Sequence, residues 1–192
     1  MRRLSLFLIN GGPPLIVTSR SLTRDNANKK ILESARNVLR ESSVFDLSIQ
    51  AVVDESGLSR ATVYRHYSTP SDLIVGVAAA AVDDIKKEMQ SGSNANPAVA
   101  YARAAVKVFT SDSVVNRQVV LHASVQSKDG KWVPQNNLPE TLLATWGVNV
   151  DDVLGGLTYF RGAMYSWACG FFTDEQFAKE AERALLMAGD GG

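Results

Sequence analysis

SIQAVVDESGLSRATVYRHY, residues 48–67, reads as two short helices hinged at Gly57. Ser48 is placed to cap the first, whose inward positions are Ile49, Val52 and Val53, and Gly57 supplies the positive-φ residue that ends it. Leu58 turns back toward a core and Ser59 offers a second N-cap, so the spacing predicts a second helix from Arg60 to about Tyr67. Val63 and Tyr67 lie four apart and share its inner face. Arg60, Ala61, Thr62, Tyr64, Arg65 and His66 are left for the other face, and no acid falls between Ser59 and Thr69. Such a surface suits a polyanion. A DNA major groove admits a helix of this kind, with its N-terminal residues at base edges and flanking residues on phosphates. Arg60, in the first turn, is the residue expected to read a base, since its fork matches guanine O6 and N7.

Two helices joined at a glycine also form a common corner of ordinary helical proteins, so the flanking sequence carries weight. Thr69-Pro70-Ser71-Asp72 is a strong helix start, with Thr69 as N-cap, Pro70 at the first helical position and Asp72 near the positive end of the dipole. A further helix is therefore predicted immediately after the pair.

With that context the chain resembles the TetR family of bacterial transcriptional regulators over roughly residues 24–85. The resemblance is carried by Ile31, Ala35, Val38 and Leu39 in an amphipathic first helix, then by Gly57, Thr62, Tyr64, Tyr67, Asp72 and Leu73. Three positions depart from the family pattern. Ser43 stands where a glycine usually closes the first helix, Ser56 replaces the usual alanine before Gly57, and Pro70 replaces a lysine that contacts the DNA backbone in the family. The loss of that lysine shifts backbone binding toward Thr69, Tyr67 or the arginines. The resemblance implies an all-α fold: a three-helix helix-turn-helix head over residues 23–90 and an effector-binding and dimerisation body over residues 97–188. Lys29, Lys30, Ser48, Ser59, Arg60, Ala61, Thr62, Tyr64, Arg65, His66, Tyr67 and Thr69 form the expected DNA-binding set.

The 192 residues carry 20 Lys and Arg against 20 Asp and Glu, a balance that looks wrong for a DNA-binding protein because phosphate neutralisation dominates affinity. The charge is uneven, however. Arg20, Arg24, Lys29 and Lys30 gather at the start of the first helix, whereas Asp112, Asp151, Asp152, Asp174, Glu175, Glu180 and Glu182 fall in the second half. A basic head on an acidic body fits a site-specific binder better than a DNA coat. The hydrophobic content of 45% is enough to fill a core without staples. The single cysteine, Cys169, sits in an apolar run and reads as buried packing, compatible with a reducing cytoplasm. Two histidines and one cysteine, far apart, give no metal-ligand spacing, and no cofactor is expected. The apolar run after Met1-Arg2-Arg3 is short and breaks at Asn10-Gly11-Gly12-Pro13-Pro14. Residues 1–22 are accordingly expected to be a mobile arm or an over-called translation start. Nothing reaches the length of a membrane span.

In the second half, Gln90 to Pro97 is a polar break at the head–body junction. Helices are predicted over Pro97–Phe109, with Val99, Ala102, Val106 and Phe109 on one stripe, and over Ser113–Gln126, with Val115, Val119, His122 and Val125 on another. Lys128 to Pro139 reads as a long polar loop. A helix over residues 150–171 places Val153, Leu157, Phe160, Met164, Trp167 and Phe171 on one stripe, with Gly155, Gly156, Gly162, Ala163, Ser166 and Gly170 keeping the remaining surface small. Thr173 caps a last helix whose apolar face is Phe177, Ala181, Ala184, Leu185 and Ala188. The resemblance makes residues 150–188 a homodimer interface. Tyr101, Arg103, His122, Trp132, Trp146, Tyr159 and Arg161, with Arg117, are candidates for lining an effector cavity, although aromatics at helical spacing are commonly plain core.

Together these readings describe a cytoplasmic one-component repressor that binds a palindromic operator as a homodimer and is released by a small molecule. A protein-interaction module that has lost specific DNA binding is the alternative. Catalysis is excluded on parts: there is no Gly-rich phosphate loop, no G-x-S-x-G, no metal set and no carboxylate pair at helical spacing in an apolar setting.

Overall fold

Two small residues bracket the second helix. Ser48, extended at φ −133° and ψ 153°, accepts a hydrogen bond from the Ala51 amide, and Gly57 at φ 62° ends the helix with its own amide on the Val53 carbonyl. Their helix is one of eight among the described residues of this computed structural model, which are 19–91, 96–124, 127–128, 131–132, 147 and 149–189. In chain order the helices are α1 (Ser19–Glu41), α2 (Ile49–Ser56), α3 (Arg60–His66), α4 (Pro70–Ser91), α5 (Pro97–Thr110), α6 (Ser113–Ser124), α7 (Val150–Ala168) and α8 (Asp174–Gly189). The fold is all-α, with one minimal antiparallel pair, β1 (Ser127–Lys128) on β2 (Lys131–Trp132).

Three element boundaries correct the sequence reading. Helix α1 already runs at Ser19, so residues 19–22 are helical instead of part of an arm; residues 1–18 lie outside the described residues. The β1–β2 pair, with Ser127 opposite Trp132 and Lys128 opposite Lys131, occupies the start of the stretch taken as a polar loop. Helix α7 ends at Ala168, because Gly170 turns left-handed at φ 85° and redirects the chain. Phe171, placed on the buried stripe, is therefore 79% exposed, and Cys169 is exposed at the helix end instead of packed.

The apolar residues sort into two cores. In the head, Ile31, Ala35 and Leu39 of α1, Ile49 and Val52 of α2, Val63 of α3 and Leu73, Ile74 and Val77 of α4 pack together with Val115 and Val119 of α6. In the body, Ile85 and Met89 of α4 join Tyr101 and Ala105 of α5, the α7 stripe from Val153 to Trp167, and Phe177, Ala181 and Ala184 of α8. The face of α5 is broader than its predicted stripe. Ala98, Ala100, Tyr101, Ala102, Ala104 and Ala105 are buried while Val99, Val106 and Phe109 are half-buried, because α4, α6 and α8 all pack on this helix. Tyr101, Phe160, Phe177, Trp167 and Phe109 form a continuous run of ring contacts, with centroids 5.1–6.1 Å apart.

Helix α6 joins the halves through polar groups on two sides. Toward the head, Gln118 donates to the Leu39 carbonyl at 2.9 Å and accepts from the Val44 amide at 2.7 Å, closing the C-terminus of α1. Asp112, just before α6, pairs with Arg36 at 3.2 Å and Arg40 at 2.9 Å. Toward the body, Arg117 donates to the Trp167 and Phe172 carbonyls and to Asp174 Oδ1, with its guanidinium 4.7 Å from the centroid of the Trp167 ring. Burial pushes the Asp174 carboxyl up, but hydrogen bonds from Ser113, Trp167 and Arg117, with the charge of Arg117, outweigh it and hold the group below the usual carboxylate range.

Candidate nucleic-acid interface

Helix α3 is seated by Val63, which is fully buried, and started by Ser59, whose Oγ accepts from the Thr62 amide at 3.2 Å. That seating leaves Arg60, Ala61, Tyr64 and Arg65 exposed and Thr62 and His66 half-buried. Lys29 and Lys30 are exposed on α1. Among the described residues, Arg24, Lys29, Lys30, Arg60 and Arg65 enter no salt bridge, whereas Arg36, Arg40, Lys86, Lys87, Lys107, Arg117 and Arg183 all do. The tip of the head thus presents uncompensated positive charge on a molecule of zero net charge.

His66 closes the helix on its α1 side. Burial lowers the affinity of its imidazole for a proton, and the neighbouring charges of Arg65 and Arg24 lower it further, so the ring is held below the usual histidine value. Its Nε2 is buried and has no hydrogen-bond partner among the described residues.

Tyr67 departs from the expected set. It is half-buried, and its hydroxyl donates to Asn28 Oδ1 of α1 at 2.8 Å. Its ring lies over Gly76 of α4, where a Cβ would come within 2.7 Å of it. Tyr67 therefore fixes the C-terminal end of α3 against α1 and α4, facing inward and away from the exposed face. Ser48 and Thr69 serve as helix caps: Thr69 Oγ1 accepts from the Asp72 amide at 3.1 Å, and Asp72 Oδ2 accepts from the Thr69 amide at 2.9 Å. Pro70 sits at the first position of α4.

The sequence matches no protein-family model and no curated protein. Solved structures are similar in fold. A TetR transcriptional regulator from Rhodococcus sp. RHA1 superposes with a TM-score of 0.61 at 16% identity, covering 85% of this chain and 96% of that one. A second transcriptional regulator from Rhodococcus sp. RHA1 superposes with a TM-score of 0.59 at 14% identity, covering 85% and 96%. This chain has the TetR-regulator fold.

In the body of this TetR-type fold the candidate effector residues do not converge on one cavity among the described residues. Tyr101 is core, edge-on to Phe160 at 5.7 Å, and borders a small void of about 20 Å³. Arg103 lines a separate cleft of about 150 Å³ between α5 and α8, with Lys107 and Glu182. The Tyr159 hydroxyl is held by Glu180 of α8. Arg161 is half-buried on α7. His122 is half-buried near the end of α6; burial lowers its proton affinity, and Nε2 has no partner among the described residues. The Trp132 side chain and Trp146 lie outside the described residues. Arg117, an orienting group in the sequence reading, is instead committed to tying α6 to α7 and α8. Among the described residues no group of three or more His, Cys, Asp or Glu is arranged to hold a metal ion, and no helix is long and apolar enough to cross a membrane.

Proposed function

We propose that the chain is a one-component transcriptional regulator of the TetR type, a repressor that binds a near-palindromic operator as a homodimer and is released by a small-molecule effector. The observation that carries this reading is the head itself: two capped helices on a positive-φ glycine present a face with Arg60 and Arg65 exposed and, among the described residues, without carboxylate partners. Arg60, Ala61 and Thr62 meet base edges in the major groove, while Lys29, Lys30, Arg65, His66 and the capped turns at Ser48, Ser59 and Thr69 lie along phosphates.

The dimer surface is the outer face of α7 with α8. Leu154 is 47% exposed there, and a Cβ at Gly155 or Gly162 would meet nothing within 4 Å, so this small-residue face has no neighbour among the described residues. Regulation follows from α4, which contributes Leu73, Ile74 and Val77 to the head core and Ile85 and Met89 to the body core. An effector that favours one arrangement of the body shifts α4 and with it the separation of the two α3 helices. Half-sites stand about 34–36 Å apart on DNA, so a modest change in separation lowers affinity sharply.

Titrating the full chain into short labelled duplexes at two salt concentrations tests the reading. Binding that weakens steeply with salt, and that Arg60→Ala with Arg65→Ala abolishes, supports it. Absence of binding even at low salt contradicts it and favours a helical interaction module.

A further inference from the structure

Tyr64 stands in the middle of the exposed face of α3, one turn after Arg60. In that position it reads at first as a DNA contact. Its surroundings give it a different part. Arg60 Nη2 donates to the Tyr64 hydroxyl at 3.2 Å, and the Arg60 guanidinium carbon lies 5.2 Å from the Tyr64 ring centroid. The spacing of four residues puts both side chains on one stripe of the helix, so the contact needs no help from the rest of the fold. Tyr64 is 40% exposed, and neither residue has a salt-bridge partner among the described residues that would compete for the guanidinium.

We propose that Tyr64 is a positioning residue that holds Arg60 ready to read one guanine in each operator half-site. The inference rests on the regulator reading above. An arginine has five N–H donors, so giving one to the Tyr64 hydroxyl leaves a complete fork for guanine O6 and N7. A free arginine on a short exposed helix samples many rotamers and loses that freedom when it meets a base. Stacking on the ring and the hydroxyl bond restrict it in advance, and the restriction rewards only the partner that needs the fork in this place. A tyrosine used in this way contributes to discrimination between bases. A tyrosine that touched phosphate would instead strengthen binding to every duplex alike.

The test uses the full chain, a duplex selected by it from a random pool, and the same duplex with the candidate guanine changed. Tyr64→Phe removes the hydroxyl and keeps the ring; Tyr64→Leu removes both at an exposed site where folding does not depend on them. Tyr64→Leu is expected to reduce discrimination at the guanine position by about 3- to 10-fold with the salt slope unchanged, and Tyr64→Phe by less. Arg60→Ala combined with Tyr64→Leu is expected to discriminate no worse than Arg60→Ala alone, because the tyrosine acts through the arginine. If Tyr64→Leu weakens both duplexes equally and lowers the salt slope by about 1, the residue is a phosphate contact and the proposal is overturned. Unchanged discrimination, or losses that add in the double variant, overturns it as well while leaving the regulator reading intact. Failure of the unmodified chain to bind any duplex overturns both.

Discussion

Gly76 is a place where adding one methyl group tests how the recognition helix is held. A Cβ at this position in α4 would lie 2.7 Å from Cε1 and the hydroxyl of Tyr67 and 2.9 Å from Cδ2 of Leu32. The leucine methyl can turn aside, but the Tyr67 ring is rigid and tied to Asn28 at 2.8 Å. Overpacking of this kind costs about 1–3 kcal/mol, and losing the tyrosine hydrogen bond costs about 0.5–1.5 kcal/mol more. Against that, alanine is better than glycine in a helix interior by about 1 kcal/mol. Gly76→Ala should therefore destabilise the chain by about 0.5–3.5 kcal/mol in urea unfolding, whereas the same substitution in a Tyr67→Ala background should stabilise by about 1 kcal/mol. If Gly76→Ala stabilises the unmodified chain, Tyr67 is not pinned between α1 and α4 and the account of how α3 is seated is wrong.

Gly162→Arg, placing bulk and charge on the open face of α7, should convert a dimer into a monomer in equilibrium sedimentation; a monomeric unmodified chain at micromolar concentration would remove the interface assignment. Arg117→Met should cost about 1–3 kcal/mol, read from the urea midpoint, because it takes the donor from the Phe172 carbonyl, leaves the Trp167 carbonyl with the Gly170 amide, and weakens the hold on Asp174. His66 and His122 both bind protons less readily folded than unfolded. The unfolded chain therefore takes up more protons below about pH 6.5, so stability should be full above that value and fall on acidification. The double variant His66→Gln with His122→Gln should flatten that slope, and an unchanged slope would refute the assignment.

The head was legible because each of its elements carries a local signal. Ser48, Gly57, Ser59 and Thr69 with Asp72 act on backbone groups within four residues, so their roles follow from spacing alone, and the structure shows all four as caps. Tyr67 was legible only in part. The sequence put it on the inner face with Val63, but that it serves as a strut depends on Asn28 and Gly76, which lie on other helices. The same limit applies in the body. The stripe from Val153 to Trp167 follows helical periodicity, whereas the use of Arg117 as a clamp on the corner between α7 and α8 is a tertiary contact that no local pattern announces. Gly170 carried a readable stop for α7 that the continuing run of apolar residues masked. Among the aromatic residues set aside for an effector, Tyr101 is buried in the body core, and its helical spacing is one that core packing and pocket lining share.

Selection of bound sequences from a random duplex pool by the unmodified chain bears most directly on the claim that α3 of a homodimer reads DNA. An inverted repeat should be enriched, with half-site centres about one helical turn, 34–36 Å, apart or a multiple of it, and Arg60→Ala should erase the preference at one position in each half. A pool that emerges without enrichment, or a single unrepeated site that Arg60→Ala leaves unaltered, would contradict it.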